Sequence, residues 1–235
     1  MTAAGSDSDI RRGMTTWTIK NAASTVVFGA LMFLAAGRLD WIMGWVFVGI
    51  MAANVVLSLA VIGRRHPDLL AERSGLQRNT RPWDLPLAVF MAYSPLLIVL
   101  AAALDLRFGW TRPPALGVSL AMLVPVLAGW VVMYWAMMTN RFFSGTVRIQ
   151  ADRGHAVVTT GPYRIVRHPG YAAAIVIYAA LPLMLGSVYA FVPFAVFLGV
   201  VVARTALEDR TLRGELPGYE EYCRVTRYRL VPGVW

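Results

Sequence analysis

Charge is what this sequence has least of. Asp, Glu, Lys and Arg make up 15% of its 235 residues, and 57% are hydrophobic, with a mean hydropathy of +0.57. Soluble domains carry about 25% charged residues. This chain has too little polar surface to cover itself in water, which excludes an ordinary soluble globule and a disordered chain. A single cysteine, Cys223, excludes an internal disulfide and a disulfide-framework secreted module, and leaves the redox compartment open. Motifs are missing too. There is no phosphate-binding G-x-x-x-x-G-K-[ST], no dinucleotide G-x-G-x-x-G after a strand, no C-x-x-C, no H-E-x-x-H and no G-x-S-x-G. His66, His155 and His168 are too scattered to make a metal site. What is present is a set of long apolar runs and a basic excess of +9.

A bilayer core about 30 Å thick takes roughly 20 apolar residues as a helix. Runs of that length occupy 18–36, 41–63, 85–104 and 115–139, and a longer one occupies 171–203. The last is too long for one span. Gly186-Ser187 and Pro193 divide it into two helices, about 171–186 and 188–210, joined by a tight turn. The expectation is an all-α integral membrane protein of about six transmembrane helices, with a cytoplasmic C-terminal helical segment. The basic residues agree with an even number of spans. Only Arg38, Arg107 and Arg112 fall on one side, leaving nineteen of the 22 Lys and Arg on the other. The positive-inside bias places that side, and both termini, in the cytoplasm. Trp41, Trp45, Trp83 and Trp110 flank spans as interfacial anchors. The first run is long enough to span and no small-residue cleavage site follows it, so it reads as a helix, not a signal peptide. Residues 1–16 read as a flexible tail, 17–139 as a four-helix scaffold and 140–235 as the region bearing the chemistry.

The spans hold almost no charge, which disfavours an ion pathway or a transporter with a midplane site. Polar residues gather in two cytoplasmic stretches. The first, 140–171, is about a dozen residues longer than a connector needs and carries His155, the Gly161-Pro162 turn and His168 ahead of Pro169, a helix-starting proline. The second follows the sixth helix. Arg204 and Glu208 are four apart and share a face, as do Asp209 and Arg213. Arg224, Arg227 and Arg229, beside Tyr219, Tyr222, Tyr228 and Trp235, suit the headgroup layer. Asn54 reads as a helix–helix hydrogen-bonding residue and Cys223 as structural.

These two clusters, each beside a membrane helix, resemble the isoprenylcysteine carboxyl methyltransferase family, which shades into the phospholipid N-methyltransferases. The likeness covers roughly 130–235. It rests on His155 to Tyr163 (H-A-V-V-T-T-G-P-Y), Arg167-His168-Pro169-Gly170-Tyr171, Leu185-Gly186-Ser187, Glu208-Asp209, and the stretch from Arg227 to Gly233. The resemblance implies an S-adenosyl-L-methionine-dependent methyltransferase at the membrane–cytoplasm boundary, with a lipophilic acceptor entering laterally. It also implies a cofactor site lined by His155, Val157, Gly161, Tyr163, His168, Tyr171 and Glu208, with His168, Arg167 and Arg204 as catalytic candidates. Two positions depart from the family pattern. Asp209 stands where a second Glu is common, and Ala173 where Gly is common.

The side-chain chemistry agrees. The cofactor's carboxylate calls for Arg, His or N–H donors, its ammonium for a carboxylate such as Glu208, and its adenine and sulfonium for aromatic faces such as Tyr163 or Tyr171. Methyl displacement is mainly a positioning problem. A carboxylate acceptor of prenylcysteine or isoprenoid type needs no general base, whereas a thiol or amine would, with His168 as the candidate. Phospholipid, small-amine and thiol acceptors stay open alternatives, as does a non-catalytic lipid-binding scaffold of the same fold. No nucleic acid and no obligate protein partner are expected.

Overall fold

The structure, a computed structural model, describes residues 7–75 and 79–235. Among the described residues there are helices and turns but no strand. Helix α1 runs Asp7–Ala36, α2 Ile42–Arg65, short α3 Pro67–Glu72, α4 Asp84–Phe108, α5 Leu116–Thr139, α6 Pro169–Leu185, α7 Phe191–Glu215 and short α8 Tyr219–Val225. Helices α1, α2, α4, α5 and α7 are each long and apolar enough to cross a membrane. Their outward faces are apolar: Leu34, Val124, Val131 and Val192 are all at least 65% exposed, a pattern that suits lipid and not water. The chain is a multi-pass membrane protein.

Two expectations change. The fifth predicted span, α6, has 17 residues and is shorter than the other five. Helix α1 begins at Asp7, so residues 7–16 are helical where a flexible tail to residue 16 was expected; residues 1–6 lie outside the described residues. Packing explains this. Gly13 lies so close to α3 that a Cβ there would come within 2.7 Å of the Ala71 side chain, and Trp17 is buried against Leu69, Leu70 and Met137. Residues within 17–139, among them Trp17, Met91 and Met133, supply part of the wall of the cavity described below.

Helix α6 is the centre of the bundle and packs against α2, α4, α5 and α7. It is apolar all round because protein, not lipid, surrounds much of it. Ten of its 17 residues are buried. Small residues let α5 approach closely: a Cβ on Gly129 would fall 2.5 Å from Ile177 Cγ1 and 3.1 Å from the carbonyl oxygen of Ala173. The alanine at 173 is therefore accommodated by a glycine on the facing helix. In α4, Pro95 cannot donate to the carbonyl of Met91, and Ser94 Oγ donates to it instead at 3.0 Å. Tyr134 of α5 donates to Asn54 of α2 (3.0 Å to Oδ1), the helix–helix bond expected there.

The hairpin between α6 and α7 turns at Gly186, whose φ of +80° favours glycine. Ser187 Oγ then donates to the buried Asp105 of α4 at 2.5 Å, and Asp105 Oδ1 accepts the Thr111 amide at 2.7 Å. One carboxylate thus ties the turn to two neighbouring segments. Ser187→Ala strands one Asp105 oxygen without its donor, and thermal unfolding in detergent should show a loss of about 1–3 kcal/mol.

Candidate active site

At the end of the bundle where the polar stretches meet, a cavity of about 560 Å³ opens between α1, α4, α5, α6, α7 and the 140–168 loop. That volume falls within the range of small-molecule sites, about 300–1,000 Å³. Eight of the nine residues named from sequence line it: His155, Val157, Tyr163, Arg167, His168, Tyr171, Arg204 and Glu208. Gly161 does not. With φ +57° it makes the turn beneath the wall, where a Cβ would meet Thr139 Oγ1 at 2.7 Å.

Behind the wall lies Asp209, whose side chain is 1% exposed. Arg167 grips it with two bonds, Nε to Oδ1 at 2.8 Å and Nη2 to Oδ2 at 3.2 Å. Arg229 Nε adds a bond at 3.0 Å, Tyr219 OH one at 3.0 Å, and Arg213 Nε lies at 3.3 Å. His168 Nε2 lies 3.4 Å from the same carboxylate. Burial first, then the Asp209 and Glu208 charges, raise the Tyr219 hydroxyl well above the ordinary tyrosine value, so it stays a donor. Arg167 Nη1 also donates to the carbonyls of Thr226 and Arg227. The amides of Arg167 and His168 bond the carbonyls of Tyr228 and Arg229 at 2.9 and 3.0 Å. Together these fasten the C-terminal segment, α8 included, onto the start of α6. Tyr222 OH completes the fastening with a 2.6 Å bond to the Tyr163 carbonyl.

A second buried pair closes the opposite wall. Arg204 binds Asp84 of α4 with Nε–Oδ1 at 2.6 Å and Nη2–Oδ2 at 3.0 Å, and donates to the Gly145 carbonyl at 2.9 Å. Asp84 Oδ2 also accepts the Val147 amide at 2.7 Å. Arg204, although it shares a helix face with Glu208, thus takes a partner 120 residues away. Glu208 instead accepts the Tyr171 hydroxyl at 2.6 Å, and the Tyr171 ring lies 5.5 Å from the Arg204 guanidinium carbon. The Tyr171 and His168 rings are stacked at 5.8 Å. Gly170 is a true requirement of the motif: any Cβ there would meet the Phe143 ring at 2.6 Å.

The loop is held to α3 by ion pairs, Arg148 with Glu72 at 2.9 Å and Arg153 with Asp68. His155 Nδ1 accepts the Gln150 amide at 3.3 Å, which leaves the proton of the neutral ring on Nε2. Burial, followed by the Arg148 and Arg153 charges, holds the His155 pKa down to about 4. Reasoning from sequence passed over Asp84, Met91, Phe143, Trp17 and Arg73 as parts of this site. A carboxylate at the very start of the third apolar run was the available signal for Asp84. The others carry none.

Between pH 4 and about 6.5 the unfolded chain binds a proton at His155 that the folded chain does not. Stability therefore rises with pH across that window and falls on acidification. His155→Gln should lose less stability than the wild type between pH 7 and pH 4.5, by on the order of 1 kcal/mol, measured as thermal midpoints in detergent.

A family model described as the isoprenylcysteine carboxyl methyltransferase family matches residues 120–214. Two rice proteins, from Oryza sativa subsp. indica and subsp. japonica, are both described as "probable protein-S-isoprenylcysteine O-methyltransferase". Each is 30% identical to this chain over 110 residues, 46% of this chain. The match spans 58% of the length of these relatives. The matched stretch, residues 120–214, runs from within α5 through the loop and the hairpin into most of α7, so the similarity to the isoprenylcysteine carboxyl methyltransferase family covers the elements that bring the loop, the start of α6 and the charged end of α7 together.

Proposed function

We propose that this chain is an S-adenosyl-L-methionine-dependent methyltransferase that acts at the membrane–cytoplasm boundary on the carboxylate of a lipophilic acceptor of the prenylcysteine class. The observation that carries the reading is the single cavity in which the loop, the start of α6 and the charged end of α7 converge, with Glu208 presented beside aromatic faces. The family match and the description of the rice relatives support the acceptor class. The Lys and Arg asymmetry supports a cytoplasmic position for the cavity end and both termini.

The residues present fit such a cofactor. Glu208, oriented by Tyr171, suits the ammonium. His155 Nε2–H offers a neutral donor, and Tyr163, Tyr171 and Phe143 offer aromatic faces for the adenine and the cationic sulfur. When bound, the cofactor supplies a methyl group on a positively charged sulfur that departs as a neutral thioether. The acceptor carboxylate is already a nucleophile at neutral pH, so no general base is required. In this reading Arg167 and Arg204 are positioning residues, because their guanidinium groups are already bound by Asp209 and Asp84. His168, with Nε2 turned toward Asp209 and Tyr219, sets the Tyr171 ring and the start of α6. The apolar part of the cavity, with Met91, Ala88 and Met133, suits the hydrocarbon of the acceptor.

Calorimetry on the detergent-solubilised protein should show binding of S-adenosylhomocysteine, and tritiated cofactor should label a prenylcysteine acid. Folded protein that binds neither cofactor nor product overturns the reading. Glu208→Gln should weaken S-adenosylhomocysteine binding by about tenfold or more while the thermal midpoint stays within a few degrees, since Tyr171 is the one side chain bonded to Glu208 among the described residues.

A further inference from the structure

Four arginines line the cavity: Arg73, Arg148, Arg167 and Arg204. Three of them are neutralised at short range, Arg148 by Glu72 at 2.9 Å, Arg167 by Asp209 at 2.8 Å and Arg204 by Asp84 at 2.6 Å. Arg73 is different. It caps the C-terminal end of α3, and its guanidinium carbon lies 5.3 Å from the centroid of the Phe143 ring. Among the described residues no carboxylate lies within ion-pair distance of it. It is partly buried, and its pKa is pulled below the ordinary arginine value by burial first and by the Arg204 charge second. A guanidinium does not deprotonate in proteins. A desolvated cation beside a second cation therefore pays an electrostatic penalty that an incoming anion would relieve.

We propose that Arg73 is the anchor for the acceptor's carboxylate, and so a specificity-determining residue supplied from outside the family-matched region. The inference rests on the methyltransferase reading and adds to it the residue that selects an acid over a neutral lipid. Position favours the acceptor over the cofactor's own carboxylate. Phe143 packs with two clusters. One is the aromatic cluster of Tyr163, Tyr219 and Tyr222 under the C-terminal segment, and the other is the apolar cluster of Trp17, Leu69, Leu70 and Met137. Arg73 follows directly on α3, the helix that carries Leu69 and Leu70, and lines the cavity together with Trp17 and the apolar Ala88, Met91 and Met133. His155, Val157 and Tyr163 line the cavity with the other cluster. A planar fork with five donors matches a carboxylate bidentately and leaves the hydrocarbon to the apolar wall.

The test compares N-acetyl-S-farnesylcysteine with its neutral carboxamide, as ligands in calorimetry and as inhibitors of turnover, in wild type, Arg73→Gln and Arg73→Lys. Thermal midpoints serve as the folding control. Wild type should prefer the acid by about tenfold or more. Arg73→Gln should abolish that preference and raise KM for the acid by a similar factor, leaving the Kd for S-adenosylhomocysteine within about twofold. Arg73→Lys should restore part of the preference. The proposal is overturned if Arg73→Gln keeps the acid preference, or if it weakens S-adenosylhomocysteine in place of the acid. Wild type that binds S-adenosylhomocysteine but does not separate acid from amide sinks the role of Arg73 alone. Wild type that binds neither S-adenosylhomocysteine nor the acid sinks the methyltransferase reading with it.

Discussion

Asp209 holds a carboxylate among Arg167, Arg213, Arg229, His168 and Tyr219 where almost no water reaches it. Taking charges out of water is expensive, and such a pair persists only when geometry is good and the remaining hydrogen bonds are made. Here they are made, by two backbone carbonyls on the Arg167 side and a phenol on the Asp209 side. The same bonds decide where three separate segments lie: the start of α6, the charged end of α7 and the C-terminal segment. Removing one partner would leave the other buried and unpaired, so this cluster constrains the cap far more strongly than a surface ion pair would.

Asp84 and Arg204 repeat the device on the opposite wall, joining α4 to α7 and capturing the loop through the Gly145 carbonyl and the Val147 amide. With both pairs satisfied internally, the cavity is left, among the described residues, with Glu208 as an anion whose side-chain partner is a tyrosine and Arg73 as a cation that faces a ring and no carboxylate. A zwitterionic cofactor and an anionic acceptor suit that residue of unspent charge. The fold thus separates structural charge from recognition charge by giving each structural group a partner on another element.

Much of this was legible in the sequence. The apolar runs placed α2, α4, α5, α6 and α7 to within about five residues, because lipid-facing helices must be apolar nearly throughout, whereas α1 starts well ahead of its run. The Gly186-Ser187 turn and the two polar stretches were equally plain. Partner choice was not. The four-residue spacing of Arg204 and Glu208 is a rule for one helix, and a carboxylate at the head of α4 outcompetes it by offering a fully buried bidentate bond. Asp209 was singled out as a departure from the family pattern, yet its position makes it the hub of the cap. Arg73 belongs to a basic stretch that serves topology as well, and nothing in its spacing separates it from its neighbours. Residues 7–16 are polar and read as a tail because what docks them, the approach of Gly13 to Ala71 and the packing of Met14 on the α3 cluster, involves residues far along the chain.

The shortness of α6 has a further consequence. At 17 residues it rises about 26 Å, some 4 Å less than the hydrocarbon core of a typical bilayer. Its neighbours are long enough to meet the water on both sides, so the mismatch falls on the central helix alone, and it is absorbed inside the protein instead of by the lipid. A shortfall taken up at the His168 end recesses the cavity wall below the polar surface of the bilayer, like a well sunk into the membrane. On the proposed reading a prenyl chain can present its polar end to that well without leaving the bilayer. The hydration penalty of exposing hydrocarbon, about 0.8 kcal/mol for each methylene, is avoided before any chemistry begins.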